Sequence, residues 1–198
     1  MKKIIIITIF LVAGINLLAQ DRSKSEGYYN LTQLSFLMGE VNEDAPTPVK
    51  QNMIPSVVNI NGYRANEHFS IGLGIGMTPF SYTIFPVFAD LRITLFDDHL
   101  SPVLALKAGY AFTNSKKDAW EYHSNDVTNR GGAMVNPEFG IKVSITERAD
   151  FMLTIGYWYQ HLKSEMKGAY PGYYDYGYDR TRTADINRLS LSLGFLFK

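Results

Sequence analysis

Five ionisable side chains fall on one alternation phase of three neighbouring apolar-patterned runs: Asp90 and Arg92, then Lys107, then Glu138 and Lys142. Charges of both signs spaced in this way can pair across adjacent strands. A linked set of that kind can serve as a gate or as a proton or ion relay. It can equally be a structural plug, because isolated charges in a poorly hydrated interior are costly and persist there only when paired. The four histidines, His68, His99, His123 and His161, are scattered. His123 and His161, with Ser124, Asp126 or Ser164 nearby, would suit a hydrolase or acyltransferase site at one rim of the molecule. Enzymatic chemistry needs a nucleophile, a base and an orienting group in fixed relation, and no spacing here is diagnostic of one. Metal binding by His123 and Asp126 has no better support, and no cofactor is expected. A third set lies between Gly168 and Asp179, where Tyr170, Tyr173, Tyr174, Tyr176 and Tyr178 are interleaved with glycine, Asp175 and Asp179. Tyrosine offers a large contact area with few rotors, so this segment suits recognition of a sugar, a peptide or a partner protein. The same rings would also suit strand extensions seated among lipid headgroups.

Composition narrows what can hold these groups. The chain has 198 residues, equal numbers of basic and acidic side chains at 19 each, and no cysteine. Zero net charge supplies no field to recruit nucleic acid. The lack of cysteine removes disulfide frameworks, thiolate metal sites and a lipoprotein anchor. Met1-Lys2-Lys3 followed by the apolar run Ile4 to Leu18 and the small Ala19 reads as a secretory leader over residues 1–19, leaving residues 20–198 as a single domain. The apolar run is about 15 residues, against the roughly 20 that a spanning helix needs.

Beyond Gln20 the apolar residues recur at every second position, in runs of about 10 to 13 residues, the length of a tilted transmembrane strand. The runs are Tyr28 to Gly39, Ser56 to Arg64, His68 to Pro79, Ile84 to Phe96, Ser101 to Thr113, Ala133 to Thr146, Asp150 to Leu162 and Asp185 to Phe197. The third separates cleanly into Phe69, Ile71, Leu73, Ile75 and Met77 on one face and Ser70, Gly72, Gly74, Gly76 and Thr78 on the other. Short turns near Asn66, Asp98 and Arg148 alternate with longer connections, including loops expected over Asn114 to Gly132 and Lys163 to Ala184. Pro86 and Pro137 fall inside strands, so bulges or strand ends are expected at both.

A soluble β-protein would carry lysine and glutamate opposite its apolar face. Here that face is rich in Gly, Ser, Thr, Asn and Ala, which fits the cramped interior of a narrow barrel whose bulky aliphatics face lipid. Tyr28 and Tyr29, Phe80 and Tyr82, Tyr110 and Phe112, and Tyr157 and Tyr159 are placed where interfacial girdles would be. The fold expected is all-β: an eight-stranded antiparallel up-and-down transmembrane β-barrel following a cleaved signal peptide.

Asn61-Gly62-Tyr63-Arg64, Gly72-Leu73-Gly74-Ile75-Gly76, the run Pro86 to Arg92, Ser101-Pro102 and Ala108-Gly109-Tyr110 resemble the small outer-membrane β-barrel domain proteins of Gram-negative bacteria, in the broad OmpA/OmpX-like group. The closing strand Leu189 to Phe197 resembles the assembly signal of that group, here followed by Lys198. The resemblance covers nearly the whole mature chain. It implies the outer membrane as location, periplasmic termini, contact with outer-membrane lipid, and insertion by the barrel-assembly machinery. Members of the group differ in role. A structural or surface-recognition role through external loops is expected, with an extracellular ligand or protein as partner. The alternative is an outer-membrane acyltransferase or protease with its site near His123 and His161.

Overall fold

The computed structural model describes residues 26–39, 52–80, 83–96, 98–113, 125–168 and 178–198. The leader expected over residues 1–19 lies outside them. The described strands are β1 (Gly27–Met38), β2 (Met53–Arg64), β3 (Phe69–Pro79), β4 (Thr83–Thr94), β5 (Leu100–Thr113), β6 (Asn125–Arg130), β7 (Gly132–Thr146), β8 (Ala149–Gly168) and β9 (Tyr178–Phe197). Every pairing is antiparallel, each wall strand lying beside its neighbours in sequence, and β9 pairs with both β1 and β8. β1 to β5 and β7 to β9 thus form a closed barrel of eight strands. Among the described residues β6 pairs with β8 alone, above the end of β7.

Register partners followed once around the wall from Phe197 pass through Asn30, Asn61, Leu73, Ala89, Ala108, Val135 and Tyr159. The circuit arrives at Asn187, ten residues away on the same strand. That stagger sets a strand tilt of about 40° and a height of about 2.5 Å per residue. Outward-facing apolar residues then form a belt from Phe69, Ile93 and Phe197 at the short-turn end to Phe85, Phe112 and Tyr159 at the long-loop end. Its height is ~25 Å, that of the apolar band of a membrane barrel. Leu73 and Ile75 are the barest of these, 72% and 62% exposed, which is stable in hydrocarbon and an aggregation hazard in water.

The inward phase of each strand is buried, and its side chains fill the interior. Ring space is made by glycine: a Cβ on Gly74 would stand 2.4 Å from the Phe88 ring, and one on Gly62 2.5 Å from the Tyr29 ring. Tyr29 is buried within the barrel and does not join the girdle expected for it. Its neighbour Tyr28 faces out, and consecutive strand residues face opposite ways. The short turns are held by local bonds. Asn66 Oδ1 accepts from the backbone N–H groups of His68 and Phe69 at 2.9 and 2.8 Å, and His68 Nδ1 lies 2.9 Å from the Thr94 carbonyl.

Three expectations are corrected. Pro86 and Pro137 cause neither a bulge nor a strand end. Each stays in register with β5, through Pro86↔Ala111 and Leu106↔Pro137. On the other side the ladder lapses and resumes in the same register, between Ile75↔Val87 and Thr78↔Ile84 and between Val135↔Tyr159 and Glu138↔Gly156. A missing N–H removes a bond on one side only, and closure on both flanks holds the strand straight.

The segments expected as loops over Asn114 to Gly132 and Lys163 to Ala184 contain ladder. β6 lies in the first, and β8 and β9 run unbroken into the second as far as Gly168↔Tyr178. These stretches lie beyond the apolar belt, where apolar residues no longer recur at every second position and the alternation signal fades. β6 continues the path of β7 with one extra residue at the break, since Arg130 pairs with Lys163 but Met134 with Gln160. Gly131 and Gly132 sit at that break, where a Cβ would strike the Ala111 and His161 carbonyl oxygens at 1.5 and 2.3 Å.

Replacing Gly74 with leucine should lower the stability of the folded barrel by about 1–3 kcal/mol through overpacking against Phe88. The urea unfolding midpoint in lipid vesicles reads this out, with the lipid-facing Leu73→Val as the control expected to leave it unchanged.

Candidate functional site

The alternation of β4, β5 and β7 turns Asp90, Arg92, Lys107, Glu138 and Lys142 inward, and the stagger sets the first four at one level. Asp90 and Lys107 are direct register partners, as are Lys107 and Asn136. Asp90 and Arg92, two residues apart on one face, make a side-on pair. Arg92 Nε donates to Asp90 Oδ2 at 2.6 Å and Arg92 Nη2 to Oδ1 at 3.1 Å. Lys107 Nζ donates to Glu138 Oε1 at 2.5 Å. All four are sealed from solvent, at 0%, 3%, 1% and 3% exposure in the order Asp90, Arg92, Lys107, Glu138.

Neutral side chains join the two pairs. Gln33 on β1 accepts from Arg92 Nη2 at 3.3 Å and donates to Glu138 Oε2 at 3.4 Å. Asn136 Nδ2 and Thr154 Oγ1 donate to Glu138 at 2.9 and 3.1 Å, and Ser190 Oγ donates to Asn136 at 3.4 Å. The network thus draws on six strands, carries two charges of each sign, and crosses the lumen. Lys142 is also inward and buried, but it lies four residues further toward the short-turn end of β7, about 13 Å along the strand from Glu138.

Buried apolar residues flank the network above and below. Leu37, Ile54, Ile84, Met134 and Trp158 are buried toward the long-loop end, and Leu31, Val103 and Met152 toward the short-turn end. A second ionic group closes the short-turn mouth. Asp150 accepts from Lys198 Nζ at 2.9 Å and lies 3.9 Å from Arg64 Nη2. Lys198, which follows Phe197, thereby ties the end of β9 to β8. Gln33, Asn136, Asp150 and Arg64 were not singled out by sequence reasoning. The polar members of the inward phase, followed strand by strand, are the signal that points to them.

Other candidates divide between the rim and the segments outside the described residues. His161 faces outward above the belt, its Nδ1 2.7 Å from Asp185 Oδ1, and Tyr159 Oη donates to the same carboxylate at 2.9 Å. The hydrogen bond from His161, aided by that from Tyr159, holds the Asp185 carboxyl below the usual carboxylate range. Tyr157 donates to Asn187 at 2.8 Å just below. Among the described residues this pair has a base and an orienting carboxylate, with Tyr159 as its bonded hydroxyl, on the outside of the wall. His123, Tyr170, Tyr173, Tyr174, Asp175 and Tyr176 lie outside the described residues. Tyr178 opens β9 directly opposite Gly168.

No protein-family model matches the chain, and no curated protein matches it in sequence. Among solved structures it is similar to the outer membrane protein OprG from Pseudomonas aeruginosa, with a TM-score of 0.61 at 11% identity over 86% of this chain and 95% of that one. It is also similar to Neisserial surface protein A (NspA), with a TM-score of 0.57 at 12% identity over 87% of this chain and 98% of that one. At such identities the likeness is one of fold: this is the architecture of small outer-membrane β-barrels.

Removing one partner of a buried pair strands the other, at a cost of about 3–5 kcal/mol. Glu138→Ala should therefore lower unfolding stability by about that amount, while Glu138→Gln combined with Lys107→Met restores most of it. Urea titration of the three proteins in lipid vesicles checks the order.

Proposed function

We propose that this chain is a sealed outer-membrane barrel, with both termini periplasmic, whose role is surface recognition by the structure that β8 and β9 raise above the membrane. The observation that carries this reading is the unbroken pairing of those strands. Above the belt level marked by Tyr159↔Asn187, nine further pairs follow, from Gln160↔Ile186 to Gly168↔Tyr178. At the barrel's tilt this lifts the tip by ~20 Å. β6 flanks the projection as a third strand, and residues 169–177, which join β8 to β9 in sequence, are rich in tyrosine and glycine.

The filled interior supports the same reading. An eight-stranded barrel is just wide enough for its own side chains, and here the lumen holds the Asp90–Arg92 and Lys107–Glu138 pairs between apolar layers. A path for solutes would have to break these contacts. Activity is thus directed outward, and the network acts as a plug that orders the wall.

Residues 169–177 replaced by a short Gly-Ser turn provide the test. Cells displaying the variant should lose binding to glycan and matrix-protein arrays relative to cells displaying the native chain. The heat-modifiable gel mobility of the folded barrel should be unchanged. Binding retained in full by the variant overturns the proposal.

A further inference from the structure

The outward phase of β1 and β2 breaks the apolar belt. Asn30 and Thr32 on β1 and Asn59 and Asn61 on β2 point away from the lumen, where alternation elsewhere places aliphatics. Asn30↔Asn61 and Thr32↔Asn59 are register partners, so the four form a compact block. On the neighbouring strands the same rows hold Phe195 and Phe197 on one side and Leu73 and Ile75 on the other. The block lies ~3–11 Å above the level of Phe197, inside the hydrocarbon half nearer the short turns.

A polar group in hydrocarbon needs partners, and the block satisfies itself only in part. Asn30 Nδ2 donates to Asn59 Oδ1 and Asn61 Oδ1 at 3.2 and 2.8 Å, and Asn59 Nδ2 donates to Asn30 Oδ1 and Thr32 Oγ1 at 3.2 and 2.9 Å. Asn61 Nδ2 donates to Asn59 Oδ1 at 2.9 Å, and Tyr28 Oη donates to Asn61 Oδ1. A side-chain amide has two donors and two acceptor sites, and a hydroxyl has a donor of its own. Within the block, one N–H of Asn61 and the hydroxyl proton of Thr32 are left over as donors, and one lone pair each of Asn30 Oδ1 and Thr32 Oγ1 as acceptors.

We propose that this block is an interface for a second copy of the same chain. The remainder holds two donors and two acceptor sites together, so it is complementary to itself. A two-fold axis along the membrane normal brings equal depths into contact, with the Asn61 N–H and Thr32 O–H of each copy facing the partner's Asn30 and Thr32 oxygens. Such an isologous contact is the commonest symmetric assembly. Polar side chains are an effective adhesive between membrane segments because lipid tails offer no competing bonds. Leu73 and Ile75, the barest aliphatics of the wall, border the block and would be covered by the same contact.

The chain contains no cysteine, so single-cysteine variants of the full protein in its membrane test this directly. Leu73→Cys, beside the block, should form a disulfide-linked species of twice the chain's mass on mild oxidation. Leu106→Cys, also facing outward on β5, should not. Adding Asn59→Leu and Asn61→Leu to the Leu73→Cys chain should reduce the cross-linked fraction about tenfold, with heat-modifiable mobility reporting an intact barrel. Equal cross-linking at both positions indicates random collision and overturns the proposal. So does a link that survives the leucine substitutions, an adduct of another mass, or a chain that stays monomeric.

Discussion

The pairing of β9 with β1 is the contact on which the rest of the molecule depends. A sheet in hydrocarbon has no water to satisfy its edges, and each orphaned N–H or C=O costs several kcal/mol, so a strand wall is stable there only when closed. Closure also fixes the stagger. A ten-residue offset on returning to β9 decides which inward residues share a level, and hence that Gln33 of β1 meets Arg92 of β4 and Glu138 of β7. A slip of one residue would turn every inward charge toward lipid. The narrow lumen that results leaves Gly62 and Gly74 no alternative residue where Tyr29 and Phe88 cross it.

Within that lumen the balance of charge and packing is strict. Removal of ions from water costs several kcal/mol each, and their mutual attraction offsets this only with good geometry and with the remaining lone pairs satisfied. Good geometry is met at both pairs, and full satisfaction at Glu138. Asp90 holds Arg92 by two bonds, and Glu138 receives bonds from Lys107, Asn136, Thr154 and Gln33. Apolar layers on either side lower the local dielectric, which strengthens a complete network and penalises an incomplete one. Within the network itself the charges balance, two carboxylates facing two cations.

The wall was legible in the sequence because one solvent lies on each side of it. Leu73 against Gly74, or Leu106 against Lys107, differ so sharply that period two identifies strand and face together. Legibility failed where that contrast failed. Asn125–Arg130 and the upper parts of β8 and β9 lie beyond the apolar belt, where apolar residues do not recur at every second position, so in sequence the ladder resembles a loop. Tyr29 misled because an aromatic is at home both at an interface and in a barrel core, and only its phase relative to Tyr28 separates the two. The charged residues of the network were visible as inward charges. Its connectors were not, because glutamine, asparagine and threonine are ordinary in a narrow lumen and their roles emerge only from cross-strand register.

Register also explains how a ladder persists above the membrane. An isolated two-stranded hairpin is marginal in water, but β8 and β9 enter solvent already aligned by the pairs below, from Ala149↔Phe197 upward. The root of the projection is packed as tightly as the wall: Trp158, Leu162 and Ile186 are buried at its base. Gln160 donates from inside to the carbonyls of Gly132, Ala133 and His161, binding β7 to β8 where the Gly131 break would otherwise loosen them. Tyr110 secures the same break from outside through the Gly131 carbonyl at 2.9 Å. With β6 adding a third strand beyond that point, the entropy of ordering the projection is met by alignment imposed from below and by a wider ladder. Rigidity built in the hydrocarbon is in this way carried into the water above it.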